Sequence, residues 1–193
     1  MTRELILVRH GETLHNVNRI TQGWSDSDLS DRGREQVRQL AERVKQMQPT
    51  ALYSSPLGRA MSTARAIADS TGLEIVPLDD LREMNYGRWE GRAFIDIRTE
   101  DEEIYHRWIA DENCPCPDGE SHADVRTRML RAFDTVNSER PILVAHGTAI
   151  RIGAMALLNL PLMSALRFAQ DNAAMNVFVS RGDQWFLKVW NYT

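Results

Sequence analysis

The sequence is poor in cysteine, lysine and long apolar runs, and each shortage removes a class of protein. Two cysteines in 193 residues, Cys114 and Cys116, are too few and too close for a disulfide framework. They read as ordinary thiols in a surface loop. Lysine occurs only at Lys45 and Lys188, so the basic residues are almost all arginine, the type suited to gripping phosphate through two parallel N–H bonds. With 23 basic against 27 acidic side chains the formal charge is −4, and there is no basic tract. Such a chain offers no general field for nucleic acid or anionic lipid. No apolar run approaches the ~18 residues of a membrane span, and the start, Met-Thr-Arg-Glu, lacks a signal-peptide pattern. A cytoplasmic protein with no nucleic-acid or membrane partner is expected. The chain also has no His-Glu-x-x-His pair, no Asp-rich metal loop and no glycine-rich loop ending in Lys-Ser/Thr. Cys114 and Cys116 with His106 make at most an incomplete zinc site. Neither metal nor cofactor is expected.

What is present is an alternation of apolar runs with helical periodicity, which is α/β patterning. Leu5-Ile6-Leu7-Val8 and Pro141-Ile142-Leu143-Val144-Ala145 read as strands buried on both faces. Ala51–Ser54 and, more weakly, Glu74–Pro77 add further strands. Apolar residues at Val37, Leu40, Ala41, Val44 and Met47 mark a helix capped by Ser30 or Asp31. Ser55-Pro56 is expected to open another, with Pro56 in its first turn and Gly72 at its end. One helix is expected between Ile95 and Ile109, another through Val125, Met129, Phe133 and Val136, and a third over Thr148–Leu158. Met175–Ser180 and Trp185–Trp190, split by Arg181-Gly182-Asp183, read as a closing hairpin. A length of 193 residues is read as one domain over 1–193, able to bury about 70% of its unfolded surface.

The chemistry gathers at two strand ends. Arg9-His10-Gly11 and Ala145-His146-Gly147 each close a buried strand with His-Gly. Ligands of open parallel sheets bind beyond the carboxyl ends of the strands, so if these strands are parallel neighbours both imidazoles enter one crevice. A single histidine there is as readily a structural imidazole; two in equivalent places favour function. Arg9 adjoins His10, and Arg59 falls in the first turn of the helix after Ser55-Pro56, where free N–H groups favour an anion. Glu83 is the carboxylate in their company. A neutral histidine to attack, arginines to neutralise oxygens and a carboxyl to protonate a leaving alcohol describe phosphoryl transfer without a metal.

These residues resemble a known family. Leu7-Val8-Arg9-His10-Gly11-Glu12-Thr13-x-x-Asn16 is similar to the signature of the histidine phosphatase superfamily, which includes the phosphoglycerate mutases. Leu29–Gln36, Ser54–Ala60, Leu81–Gly91, Gly119-Glu120-Ser121 and Val144–Gly147 resemble its further motifs, in order along nearly the whole chain. The resemblance implies a three-layer α/β sandwich with a mixed, mostly parallel central sheet flanked by helices. It further implies that His10 is the nucleophile and Glu83 the acid, and that Arg9, Arg59 and His146 hold the phosphoryl group. Asn16, Gln22 and Gly23 would line the phosphate pocket. Residues 84–120 are expected to roof the crevice and set specificity.

The match departs from the mutases where Met84-Asn85 follow the acid in place of Arg-His and where Phe94 replaces a lysine. The acidic run Glu100–Glu103 would repel a second phosphate. Hydrolysis of a small phosphomonoester is therefore favoured, with phosphoserine, α-ribazole phosphate and sugar phosphates as candidates; the segment Asp171–Ala174 is similar to metal-independent phosphoserine phosphatases. A phosphoglycerate mutase, a non-catalytic phosphate-binding module and a metal-dependent hydrolase are the alternatives. Trp185, Phe186 and Trp190 fill the core or cap a homodimer interface. Arg88, Trp89 and Arg92 read as ordinary solvent or core residues.

Overall fold

The computed structural model describes residues 3–193. Six strands, β1 (Glu4–Arg9), β2 (Ala51–Ser54), β3 (Ile75–Pro77), β4 (Pro141–Ala145), β5 (Met175–Arg181) and β6 (Gln184–Tyr192), form one sheet in the order β3-β2-β4-β1-β5-β6. β1, β4, β2 and β3 run parallel; β5 runs antiparallel to β1, and β6 antiparallel to β5. Side chains alternate across the two central strands, so both sheet faces need a cover. Leu5, Leu7, Leu143 and Ala145 pack into one core with Met129, Phe133, Ile150 and Phe178. Ile6, Val8, Ile142 and Val144 pack into the other with Leu40, Val44, Ala64 and Ile67. Helices α2 (Asp31–Gln46) and α3 (Gly58–Thr71) supply the second cover, and α6 (His122–Thr135) and α7 (Gly147–Leu157) the first. The result is the expected three-layer arrangement, with β1 and β4 adjacent and in register from Ile6–Ile142 to Arg9–Ala145.

Several local expectations hold and others shift. Ser30 caps α2 by accepting from Gly33 N at 2.9 Å, and Gly72 ends α3 in the left-handed region. Pro56, however, lies outside α3, which begins at Gly58 after an extended Leu57. The expected helix between Ile95 and Ile109 is two: α4 (Phe94–Glu100) and α5 (Glu102–Ala110). They part at Asp101, whose carboxylate accepts from Trp89 Nε1 at 2.7 Å and pairs with Arg92. Glu100 also pairs with Arg92, at 2.8 Å. Trp89 is buried in the core and Arg88 pairs with Asp118 on the surface, as ordinary residues. Cys116 is buried rather than in a solvated loop, because residues 114–119 tuck beneath the turn at Tyr86–Gly87. Among the described residues, no helix is long and apolar enough to cross a membrane. A short helix α1 (Leu14–Val17) follows the end of β1.

The chain after β1 is pressed against the start of α2. A Cβ on Gly11 would stand 2.8 Å from the carbonyl oxygen of Gly33 and would collide with Val37. Glycine is needed there because the end of β1 packs so closely on α2.

Candidate active site

The carboxyl ends of β1 and β4 open into a cavity of about 450 Å³. His10, Arg9, Asn16, Gln22, Gly23, Arg59 and Glu83 all line it, although they come from separate stretches of chain. His146 does not line it. Its fully buried ring stands behind His10, with centroids 5.1 Å apart, and its Nε2 shares a 2.8 Å hydrogen bond with Ser55 Oγ.

The neighbours of His10 fix its tautomer and its charge. Its Nδ1 lies 2.8 Å from the carbonyl oxygen of Gly11. A carbonyl cannot donate, so the ring proton sits on Nδ1 and the lone pair is on Nε2. Burial, then the positive Arg59 and Arg9, drive its pKa well below the ordinary histidine value, and the ring is neutral at pH 7. His146 is neutral for the same first reason, burial, reinforced by Arg59.

Arg59 is buried and held on several sides. Its Nε donates to His10 Nε2 at 3.3 Å, and its terminal nitrogens donate to Gly23 O at 2.7 Å and Ser25 O at 2.8 Å. Asp26 completes the grip at 3.2 Å. Asp26 also corrects the reading of the α3 N-terminus as a ligand site: its carboxylate already accepts from the N–H groups of Gly58 and Arg59. The helix start is therefore occupied by the chain's own anion, and Arg59 reaches the cavity through its side chain alone. Burial lowers the Arg9 pKa to about 10, which leaves it a cation.

The loop that presents Gln22 and Gly23 is braced from below by Glu90, whose oxygens accept from Trp24 N and Ser25 N at 2.8 Å. Gly23 adopts a φ of +56°, and a Cβ there would strike that same carboxylate. The Oδ1 of Asn16 accepts from Thr13 N at 3.2 Å and from Asn172 Nδ2 at 3.0 Å. The oxygen being committed, the Asn16 NH₂ group is left to donate. Asn172 also donates to His10 O at 3.3 Å, so the Asp171–Ala174 segment braces the site.

Glu83 sits against the start of α7. Its Oε1 accepts from Met84 N at 2.9 Å and Ala149 N at 3.0 Å, and its Oε2 from Thr148 N at 3.2 Å. Behind it, Arg128 donates to the carbonyls of Arg82 (2.6 Å) and Glu83 (3.0 Å) while Glu120 holds Arg128 at 2.8 Å and Asn85 N at 2.8 Å. The Gly119-Glu120-Ser121 motif thus serves by fixing the backbone that carries Glu83.

Several cavity residues escaped the sequence. Arg19 and Arg151 add two cations, and Thr21, Thr148 and Gln170 add polar walls. Arg151 could have been found, since it lies three residues after Thr148 on one face of α7; Arg19 and Gln170 come from loops that carry no pattern. The two arginines weaken the expectation that a doubly anionic substrate would meet few positive partners. None of residues 100–103 lines the cavity, so the acidic run is not a repulsive lid. Among the described residues, Arg9 Nε, His146 Nδ1 and both amide atoms of Gln170 are buried with no hydrogen-bond partner in the chain. Orphaned polar atoms in a protein interior cost about 1–3 kcal/mol each, and these gather around one cationic cavity. Among the described residues, no group of three or more His, Cys, Asp or Glu is placed to share a metal ion.

A family profile described as the histidine phosphatase superfamily (branch 1) matches residues 5–193. The chain belongs to this superfamily. Among members of the superfamily, it is 35% identical over 193 residues to a probable phosphoglycerate mutase GpmB of Erwinia tasmaniensis, covering 97% of this chain and 89% of that one. In structure it is similar to a mycobacterial glucosyl-3-phosphoglycerate phosphatase, solved as a complex with VO3, at a TM-score of 0.89 and 33% identity over 99% and 100% of the two chains. It is similar also to an Entamoeba histolytica phosphoserine phosphatase in complex with 3-phosphoglyceric acid, at a TM-score of 0.89 and 28% identity over 98% and 97%.

Proposed function

We propose that this enzyme hydrolyses small phosphomonoesters through a phosphohistidine, with no metal. The observation that carries the reading is the neutral His10: its proton is committed to Gly11 O, and its Nε2 lone pair lies at the wall of the cavity, held by Arg59 Nε at 3.3 Å until a phosphoryl group takes that arginine over. A phosphoryl group entering the cavity meets Arg9 and Arg59 as charge partners and Asn16, Gln22 and the Gly23 backbone as lining. Nε2 attacks phosphorus in line, the bond from phosphorus to the alcohol oxygen breaks, and Glu83 gives that oxygen a proton. Glu83, now a base, takes a proton from water, which attacks the phosphohistidine; orthophosphate leaves and His10 is restored. Arginine forks act here mainly by stabilising charge on the equatorial oxygens, as phosphoryl transfer requires. His146 contributes from behind, through the ring it packs on His10.

Residues 84–120 supply Tyr86 and Phe94 to the wall, which supports their expected place at the substrate end. A test is phosphate release from phosphoserine, α-ribazole phosphate, sugar phosphates and 3-phosphoglycerate in the presence of EDTA. Release with unchanged rate in chelator is expected; turnover that collapses on chelation would overturn the metal-free reading. A mutase is the second reading, favoured by Arg19 and Arg151 in the cavity and by the mutase-named relative. Interconversion of 3- and 2-phosphoglycerate faster than phosphate release would establish it.

A further inference from the structure

A second cavity of about 470 Å³ adjoins the catalytic one. The two share Tyr86, Phe94, Thr148 and Arg151, so they are neighbouring chambers of one crevice. The far chamber is completed by Tyr105, Trp108, Ile109 and Leu166. Its walls are aromatic edges and faces: Tyr86 meets Trp108 edge-on at 6.2 Å, and Phe94 meets Tyr105 edge-on at 5.8 Å.

Two hydroxyls of this chamber are committed to one another, and among the described residues Trp108 Nε1 is a single buried donor with no partner in the chain. The Tyr86 hydroxyl and Thr148 Oγ1 bond one another at 2.7 Å, and Thr148 Oγ1 also accepts from Arg151 at 3.1 Å. A polyol placed there would lose water and find few partners, at a cost for each unpaired hydroxyl. An apolar body would meet the opposite conditions. Phe94 and Leu166, which line this chamber, are 43% and 38% exposed overall and offer it apolar surface. Arg151 borders both chambers and puts a cation beside any ring that enters. The space is ample, since an apolar cavity of about 150 Å³ can hold benzene.

We propose that this chamber receives the alcohol portion of the substrate and selects a phosphomonoester whose alcohol is apolar and carries an aromatic ring, over sugar and polyol phosphates. The inference rests on the phosphatase reading and deepens it. Tyr86, Phe94, Tyr105, Trp108 and Ile109 all come from the 84–120 segment, so substrate choice is written there and at Leu166, while the chemistry stays on the strand ends.

The experiment compares ethyl phosphate, 2-phenylethyl phosphate and glucose 6-phosphate, three esters of primary alcohols, so that differences report the alcohol's fit more than its readiness to leave. The phenylethyl ester is expected to exceed the ethyl ester in kcat/KM by roughly 10- to 100-fold, the range for burying a group of this size. Glucose 6-phosphate should not exceed ethyl phosphate. In Leu166→Asp, at a half-exposed position suited to a folded variant, the phenylethyl-to-ethyl ratio should fall about tenfold. Equal rates for the two esters, a preference for glucose 6-phosphate, or an unchanged ratio in Leu166→Asp overturns this inference alone. No phosphate released from any ester overturns the phosphatase reading and the inference with it.

Discussion

His122 offers a stability test worked from its surroundings. The ring is fully buried, stacks on Trp108 with centroids 4.6 Å apart, and has no hydrogen-bond partner at either nitrogen. Burial, with Arg151 nearby, lowers its pKa from 6.5 to about 4. The unfolded chain therefore binds a proton at this residue below pH 6.5 that the folded chain refuses until about pH 4, and stability is lost as pH falls through that window. Between pH 7.5 and pH 5.0 the loss from His122 comes to about 2 kcal/mol, because each pH unit below 6.5 costs about 1.36 kcal/mol until the folded ring also titrates. His10 and His146 act in the same direction, because burial depresses both. Replacement His122→Leu keeps an apolar body against Trp108 and deletes the titrating group. Urea unfolding at the two pH values should show the variant losing about 2 kcal/mol less than the parent. The variant should be no less stable than the parent at pH 5.0, because two unpaired ring nitrogens leave the core. An equal acid loss in both proteins would refute the reasoning.

Two further outcomes follow from the site. Glu83→Gln preserves an oxygen for the α7 amides but cannot deliver a proton, so kcat on alkyl phosphates should fall by about 10²–10⁴-fold with KM little changed, in steady-state assays. A KM that rises while kcat holds would make Glu83 a binding residue instead. Gly23→Ala places a Cβ in the left-handed region against Glu90, and thermal unfolding should report a loss of about 1–3 kcal/mol. Unchanged stability would mean the Gln22–Ser25 loop is free to move.

The sequence was most readable where local pattern and tertiary position coincide. Leu5–Val8 and Ile142–Val144 are apolar without interruption because both faces are covered, and continuous burial is the trait that marks central parallel strands. Since β1 and β4 proved adjacent, the two His-Gly ends met, but only His10 enters the cavity while His146 is buried behind it. Contacts across long separations were not readable. Asp26 caps α3 from a loop 32 residues upstream, so the anion at that helix start was invisible to any reading of Ser55-Pro56. Arg19 arrives through a left-handed turn, and Gln170 through a loop held by Arg9. The break at Asp101 depended on Trp89 and Arg92, whose partners only the folded chain reveals. The aromatic chamber is the clearest case: α4, α5, α7 and the stretch around Leu166 each contribute a wall, and none carries a motif of its own.

Everything rests on a covalent bond between phosphorus and His10 Nε2. Rapid quenching of the enzyme with a labelled phosphomonoester should trap label on the protein at up to one phosphate per chain, labile in acid and stable in base, and mapped to the peptide bearing His10. His10→Ala should carry none and should lose turnover. Label that survives acid, or a His10→Ala variant that still releases phosphate at the parent rate, would contradict the account.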